Sequence, residues 1–297
     1  MSAELPRPED FEEGGAELAR EPAPRPVVTL TSDFGLTEPF IAMMKGVILG
    51  INPEVQLVDL SHDVPPFDIF GAAVLLHSAY HFFPRGTIHV VVVDPGVGGD
   101  RRPILAATEN YFFVGPDNGV FSFIYEDPAF QWVRHVTAVD YFMTKVSATF
   151  HGRDVFAPVA GYLSAGVEPR QFGPKIGDFV RIPLKKPELD PDGTVHGEIV
   201  YVDRFGNLIT NIETETFWEA ESVAGGTCPV LQVGDITIRA LVGSYLEAAP
   251  GEPAMLFNSW KHLEVFIPTQ NAAERMGFGV GAPLVVTFER EPEGEAA

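Results

Sequence analysis

The sequence has few cysteines and few cations. Cys228 is the only cysteine among 297 residues, which excludes an intramolecular disulfide and a thiolate metal cluster. Lys and Arg together number 20 against 41 Asp and Glu, which gives a formal net charge of −21. Because nucleic acids and anionic membranes are bound chiefly through basic residues, this balance predicts no nucleic acid and no membrane among the partners.

Long apolar runs are also missing. No uninterrupted hydrophobic stretch approaches the length that a membrane span needs. Residues 1–25 are rich in Glu, Pro and Ala and lack the apolar core of a secretory signal, so they are predicted to form a disordered acidic tail. Residues 291–297 have the same character. A single cysteine suits a reducing compartment, and we therefore expect a soluble, cytoplasmic protein.

The signatures of several common enzyme classes are absent as well. The chain contains neither the GxGxxG nor the GxxxxGK[ST] phosphate-binding pattern, and no GxSxG nucleophile elbow. No pair of histidines has the HExxH spacing, and no acidic loop has a calcium-binding pattern. We therefore expect no metal and no cofactor.

The first half of the chain alternates strands with helices. Apolar, β-branched runs predict strands at residues 27–31, 55–60, 90–93, 104–108 and 111–114. Helical spacing predicts helices at residues 38–49, 69–82, 120–125 and 155–163, the second of them capped by Asp68. Residues 26–183 are therefore expected to form an α/β domain with a mostly parallel sheet and helices on both faces.

The second half has a different pattern. Residues 184–193 fall in a stretch rich in Pro, Lys and Asp and are predicted to be a linker. From residue 194 to residue 290, short apolar or alternating runs are separated by Gly and Asn turns, without a convincing long helix. This pattern predicts a small C-terminal antiparallel β-barrel.

Polar side chains follow several strands of the first half. Asp33 follows the first strand, and Asp94 follows the buried run at residues 90–93. Ligands of open α/β sheets bind at the carboxyl ends of the strands, and the glycine-rich turn between Asp94 and Arg101 would let a ligand approach the backbone. The alternative is a structural turn in which Asp94 and Arg101 form a surface salt bridge.

Histidines offer a candidate base. His151 lies beside a glycine and charged residues in a loop, which makes it the best general-base candidate. Structural or surface roles are the simpler interpretation for His62, His77, His81 and His89.

Two polar segments of the second half admit two interpretations each. Residues 203–207 could form a recognition loop in which Phe205 stacks on a base and Asn207 bonds its edge, or an Asx-rich hairpin turn. The segment Asn258-Ser259-Trp260 allows the same two interpretations.

Together these segments resemble a known enzyme family, the S-adenosylmethionine hydroxide adenosyltransferases, relatives of the fluorinating and chlorinating enzymes. The resemblance covers about residues 26–290 and depends on the whole set of motifs in this order. The motifs are Thr31-Ser32-Asp33-Phe34-Gly35, Lys45-Gly46, Asn52-Pro53, Phe83-Pro84-Arg85-Gly86-Thr87, Val93-Asp94-Pro95-Gly96-Val97-Gly98, Gly115-Pro116-Asp117-Asn118-Gly119, Thr149-Phe150-His151-Gly152-Arg153-Asp154, and Asp203-Arg204-Phe205-Gly206-Asn207 with Thr210-Asn211.

The resemblance implies an α/β domain followed by a small β-barrel, and a homotrimer whose active sites lie between subunits. It assigns Asp33 to the ribose hydroxyls, Phe67 to the sugar or sulfonium region, Asp203 to the methionine ammonium, Phe205 and Asn207 to adenine, and Ser259 to the methionine carboxylate. Phe150 and Asn118 also fall in the implied substrate site. Trp260 and the following Lys261-His262 depart from the small or basic residues expected there.

The reaction that the resemblance implies depends on three residues. Asp94, Arg101 and His151 match the set of the water-using members, which favours hydrolysis of S-adenosylmethionine to adenosine and methionine. Either Arg101 or its neighbour Arg102 could turn inward. The alternatives are a halogenase of the same family and a nucleoside-binding protein without turnover.

Overall fold

A computed structural model describes residues 25–290. The predicted tails at residues 1–25 and 291–297 lie outside the described residues, apart from Arg25. The strands are β1 (Val27–Ser32), β2 (Gln56–Ser61), β3 (Ile88–Val92), β4 (Pro103–Thr108), β5 (Phe112–Pro116), β6 (Phe130–His135), β7 (Lys175–Ile176), β8 (Glu188–Leu189), β9 (Val195–Val202), β10 (Leu208–Glu213), β11 (Cys228–Val233), β12 (Ile236–Ile238), β13 (Ala254–Phe257), β14 (His262–Phe266) and β15 (Pro283–Glu289).

The α-helices are α1 (Phe40–Ile51), α2 (Ile69–Ala79), α3 (Ala157–Ser164), α4 (Thr214–Ala224) and α5 (Ala272–Met276). Short 3-10 segments lie at Tyr80–Phe82, Ile124–Glu126, Val139–Tyr141 and Pro169–Gln171, and a π-helical turn covers Gly152–Phe156. None of the helices between residues 25 and 290 has the length and apolar composition required to cross a membrane.

The N-terminal sheet has the order β2-β1-β3-β5-β4-β6-β7. The four strands from β2 to β5 pair in parallel, and the pairs beyond β5 are antiparallel. Because side chains alternate along β3 and just beyond it, Val90 and Val92 pack into a core with α1 and α3, whereas Val91 and Val93 pack into a core with α2. The prediction of a sheet with helices on both faces is confirmed.

The second sheet is antiparallel throughout and barrel-like, in the order β12-β11-β15-β9-β10-β14-β13, with β8 added beside β9. Its strands and α4 share a core in which Phe217 of α4 is fully buried. The predicted C-terminal antiparallel barrel is therefore confirmed. The stretch predicted as a linker contains β8, which pairs with β9.

Two details of the sequence interpretation were wrong. Residues 120–125 were predicted to begin a helix but form turns and the start of the 3-10 segment Ile124–Glu126. The apolar run between Gly119 and Pro128 is too short to offset the unfavourable free energy of helix nucleation. The second half contains α4, an 11-residue helix that ends at Gly225 in the left-handed conformation (φ 65°).

Candidate active site

Two carboxylates leave the N-terminal sheet at the same edge. Asp33 follows β1 and Asp94 follows β3, and these strands are parallel neighbours with Ser32 opposite Val92. The parallel pairing therefore places both carboxylates at the carboxyl ends of adjacent strands, where open α/β sheets bind ligands.

Asp94, Arg101 and His151 form one hydrogen-bonded cluster. Arg101 Nε lies 2.9 Å from both Asp94 carboxylate oxygens, and Arg101 Nη2 also contacts Asp94 Oδ2. The same Nη2 lies 2.7 Å from His151 Nδ1. The side chains of Arg101 and Asp94 are only 9% and 4% exposed, so this is a buried ion pair and not a surface one. Burying either charge without a partner would cost roughly several kcal/mol of folding free energy. The pairing offsets this cost.

Arg101, and not Arg102, is the arginine that turns toward His151. The Arg101 guanidinium also lies over the ring of Phe156, 5.2 Å from its centroid. Arg102 points elsewhere and pairs with Asp117 (2.7 Å) and Asp178 (2.8 Å). The two neighbouring arginines therefore belong to separate ion-pair networks.

The turn between Asp94 and Arg101 requires glycine at residue 98. Gly98 has φ +76°, and a Cβ there would lie 2.1 Å from the carbonyl oxygen of Ala148. The turn can therefore lie against the segment that leads to His151 only because this side chain is missing.

His151 stands at the start of a helical segment. The next residues, Gly152–Phe156, form the π-helical turn, whose Gly152 carbonyl accepts the N–H of Ala157. Such turns are rare and are often found at functional sites. Burial lowers the pKa of His151, and the Arg101 guanidinium lowers it further, whereas Asp94 and Asp154 oppose this effect. The net effect favours the neutral form of the imidazole.

Asp33 is held by the loop that carries Phe67. Its Oδ2 accepts the backbone N–H of Phe67 at 2.8 Å. Phe67 has the left-handed φ of 67°, unusual for a non-glycine residue, and is 70% exposed. Phe150 immediately precedes His151 in the sequence. Its ring makes an edge-to-face contact with Phe34, with centroids 5.9 Å apart.

Asn118 supports the end of β3. Its side-chain N–H group donates to the carbonyl of Val93 at 2.8 Å, and its side-chain oxygen accepts the N–H of Val120. The structure therefore places Asn118 beside the residue that precedes Asp94.

Sequence reasoning missed the contacts of His62. Of the structural and surface roles expected for this histidine, the structure shows a structural one, because its Nδ1 lies 2.8 Å from Ser32 Oγ, next to Asp33. One signal was available: Ser61-His62-Asp63 are also polar residues at the carboxyl end of a strand of the same sheet.

The second half of the predicted site lies in the C-terminal sheet, on the loop between β9 and β10. Asp203 Oδ1 accepts the N–H groups of Phe205 and Asn207 at 2.9 and 2.8 Å, and its Oδ2 accepts the Asn207 side-chain amide at 3.0 Å. Asp203 thus shapes the turn that leaves Phe205 77% exposed. The Asx-rich turn is therefore present, and base recognition by Phe205 and Asn207 stays a prediction.

A cavity of about 400 Å³ adjoins this loop. Its lining includes Asp203, Ser259, Trp260 and Glu264. Glu264 is buried and accepts hydrogen bonds from Tyr245 Oη (2.8 Å) and from the side chain of Asn258. Burial raises the pKa of Glu264, and the charge of Asp203 raises it further.

The two halves of the predicted site are not joined within one chain. Among residues 25–290, no hydrogen bond or ion pair links the N-terminal set (Asp33, Phe67, Asp94, Arg101, Asn118, Phe150 and His151) to the C-terminal set (Asp203, Phe205, Asn207 and Ser259). A larger cleft, about 720 Å³, runs between α2 and the C-terminal sheet, but no residue of either set lines it. In the part of the chain that the structure describes, no group of three or more His, Cys, Asp or Glu residues is arranged to hold a metal ion.

Comparison with known proteins identifies relatives over most of the chain. Residues 28–173 match the model of the SAM hydroxide adenosyltransferase N-terminal domain, and residues 197–285 match that of the C-terminal domain. A Thermus thermophilus protein named (R)-S-adenosyl-L-methionine hydrolase is 36% identical over 273 residues, covering 88% of this chain and 98% of the relative. A fluorinase from an Actinoplanes species is 26% identical over 294 residues, covering 89% of this chain and 98% of the relative.

A solved structure agrees with this comparison. The crystal structure of an uncharacterized conserved protein from Thermotoga maritima superimposes with a TM-score of 0.81 at 31% identity, covering 88% of this chain and 99% of that chain. Both halves of the fold, and both halves of the candidate site, fall within these matches. The chain therefore belongs to the SAM hydroxide adenosyltransferase family.

Proposed function

We propose that this protein hydrolyses S-adenosyl-L-methionine (SAM) to adenosine and L-methionine. The observation that carries the proposal is the buried cluster of Asp94, Arg101 and His151, which lies at the strand edge that also presents Asp33. The relative named as a SAM hydrolase, similar over nearly its whole length, supports the same reaction.

The chemistry needs an aligned nucleophile and little else. The oxygen of a water molecule forms a bond to C5′ of SAM while the bond from C5′ to sulfur breaks. The electron pair of that bond stays on sulfur, so methionine leaves as a neutral thioether. The protein must align the water and remove its proton, and the proposed reaction requires neither a metal nor a cofactor.

The hydrogen bonds divide the work between Asp94 and His151. An arginine can only donate, so the contact from Arg101 Nη2 makes His151 Nδ1 an acceptor, and the proton of the neutral ring is on Nε2. In this proposal Nε2–H would donate to the attacking water and help to hold it, so His151, the general-base candidate of the sequence analysis, takes a positioning role instead. We assign proton uptake to the carboxylate of Asp94, which Arg101 holds from the other side.

The remaining predicted residues would hold the two ends of SAM. Asp33 would accept the ribose hydroxyls, with Phe67 and Phe150 beside the sugar and Asn118 supporting the β3 end. Adenine would stack on Phe205 and bond Asn207. The methionine end would enter the cavity beside Asp203 and Ser259, where carboxylates suit an ammonium group.

We further propose that the protein is a homotrimer with each site completed between subunits. Support comes from the separation of the two sets in one chain, and from the exposure of an aromatic ring in each: Phe67 is 70% and Phe205 77% exposed. Aromatic side chains are enriched at interfaces between proteins, and a partner subunit would cover both rings in this proposal. The proposed compartment is the cytoplasm, which suits a chain with Cys228 as its only cysteine.

Incubation with SAM in water labelled with heavy oxygen, without added halide, tests the reaction. Adenosine that carries the label at its 5′ oxygen is the expected product. Unlabelled adenosine would contradict direct attack by water at C5′. A 5′-halogenated adenosine formed on adding chloride or fluoride would favour a halogenase, and bound ligand without any product would favour a nucleoside-binding protein.

A further inference from the structure

A hydrogen-bonded chain of four side chains lies behind Asp33. Ser32 Oγ is 2.8 Å from His62 Nδ1, and His62 Nε2 is 3.0 Å from Asp59 Oδ1. Lys45 of α1 contacts the other oxygen of Asp59 at 2.6 Å. Ser32 and His62 are 1% and 5% exposed, so the chain runs from the surface pair Lys45 and Asp59 into the protein.

This chain holds both sides of the turn that presents Asp33. On the side-chain level, Ser32 Oγ accepts the N–H of Phe34 at 3.3 Å. On the main-chain level, the carbonyl of His62 accepts the N–H of Gly35 at 2.9 Å. Asp33 is therefore fixed between two residues that both contact His62, which is an extensive restraint for a residue in a loop.

The donors and acceptors agree along the whole chain. Because Ser32 Oγ accepts from Phe34, its own proton can point to His62 Nδ1. Because a carboxylate oxygen only accepts, His62 Nε2 donates to Asp59, whose second oxygen accepts from Lys45. Each polar atom in this sequence has a partner, and a satisfied buried network of this kind restricts the backbone that carries it.

The order Ser-His-Asp suggests a hydrolase triad, but the geometry argues against one. A nucleophilic serine must present its oxygen to the substrate. Ser32 is 1% exposed, and its oxygen is occupied by Phe34 and His62. These residues therefore cannot act as a nucleophile and its base in this arrangement.

We propose that Ser32, His62 and Asp59 are positioning residues that hold the Asp33 carboxylate for the hydroxyls of a ribose ring. The inference rests on the proposed function, because it takes the ribose of SAM or adenosine as the partner of Asp33. It adds a determinant of sugar specificity that does not touch the substrate.

Calorimetry on the full-length protein with two ligands tests this role. Adenosine has both ribose hydroxyls, whereas 2′,3′-dideoxyadenosine has neither and cannot use Asp33. We expect Ser32→Ala and His62→Gln each to weaken adenosine binding about tenfold. This is the effect of losing one well-placed hydrogen bond between a ribose hydroxyl and the charged carboxylate of Asp33. Binding of the dideoxy ligand should stay unchanged. Asp63→Asn, a substitution of an exposed neighbour outside the chain of contacts, is the matched control.

A double substitution identifies the route of the effect. If Ser32 acts through Asp33, then Ser32→Ala added to Asp33→Asn should cause no further loss of adenosine affinity. Multiplying effects, or an equal loss for the dideoxy ligand, would overturn the inference. If the two buried variants fail to fold, Asp59→Asn at the partly exposed end of the chain applies the same test.

These measurements follow binding and need no turnover. If the variants show the expected coupling but the wild-type protein forms no adenosine from SAM, the hydrolase proposal is refuted and the positioning role stands. If the wild-type protein forms labelled adenosine but Ser32→Ala and Asp33→Asn reduce adenosine affinity independently, the positioning role is refuted and the hydrolase proposal stands. A wild-type protein that binds both ligands equally would overturn the inference, since Asp33 would then not bind the ribose hydroxyls.

Discussion

Arg101 donates from Nη2 to His151 Nδ1 at 2.7 Å while its Nε lies 2.9 Å from both oxygens of Asp94. One planar guanidinium thus fixes the carboxylate and the imidazole relative to each other. Lysine could not do this, because it presents a single flexible ammonium group.

Arg101→Lys should therefore remove most of the activity while keeping the charge. We expect kcat for SAM hydrolysis to fall about 10²–10⁴-fold, the usual contribution of a positioned acid–base group. Arg102→Lys is the matched control, because Arg102 pairs with Asp117 and Asp178 in a separate network. Steady-state kinetics of both variants make the comparison. Equal losses in the two variants would contradict the assignment of Arg101 to the cluster.

The pH dependence of the reaction should follow His151. Protonation of its Nδ1 would set two donors against each other at Arg101 and break the cluster. Activity should therefore be lost as pH falls through the pKa of His151. Since burial and Arg101 lower that pKa, the midpoint of kcat/KM should lie below the ordinary value of 6.5, with a plateau above it.

Initial rates across this pH range in wild type and in His151→Asn provide the check. The variant should be slow and should have lost this acid limb. A wild-type midpoint above 6.5, or the same limb in the variant, would show that another group controls the profile.

The sequence predicted the edge of the sheet better than the contacts made there. Asp33 and Asp94 could be placed because each ends an apolar run, and parallel strands bring such ends together. The choice between Arg101 and Arg102 was not predictable, because both follow the same turn. It depends on partners that only the folded chain brings together, Asp94 and His151 for Arg101 and Asp117 and Asp178 for Arg102.

Contacts between distant segments were missed for the same reason. Ser32 and His62 are 30 residues apart and meet because β1 and β2 pair in a particular register. Helix α4 was missed because only Phe217 and Ala220 of its 11 residues are buried, so its apolar periodicity is weak. Tertiary pairing and the shape of the core supplied what these local patterns lacked.

Protein stability should fall in acid because of His89. This histidine is fully buried, and burial lowers its pKa to about 3. The unfolded chain binds a proton near pH 6.5 that the folded state does not accept. The stabilisation is therefore complete above pH 6.5 and is lost as pH falls toward 3, by an amount on the order of 4 kcal/mol.

Chemical unfolding at several pH values measures this loss. His89→Phe combined with Thr29→Val removes the titrating ring together with its hydrogen-bonding partner, and should flatten the dependence. Phe83→Leu, which changes the same aromatic cluster without a titrating group, should lower stability by the same amount at every pH. Parallel curves for wild type and the double variant would contradict the role of His89.

Subunits that are defective in different halves of the site should rescue each other. Asp94→Asn disables the N-terminal set and Asn207→Ala the C-terminal set, so each homotrimer should be nearly inactive. In mixed trimers, some sites combine an intact N-terminal set from one subunit with an intact C-terminal set from the next. Each mixed trimer, whichever variant it holds twice, contains one intact site out of three, so about one third of wild-type activity should return in the purified mixed trimers. Co-expression with two affinity tags, followed by tandem purification and assay, measures the recovery. Each variant co-expressed with itself is the control, and a mixed trimer without recovered activity would mean that each site is built within a single chain.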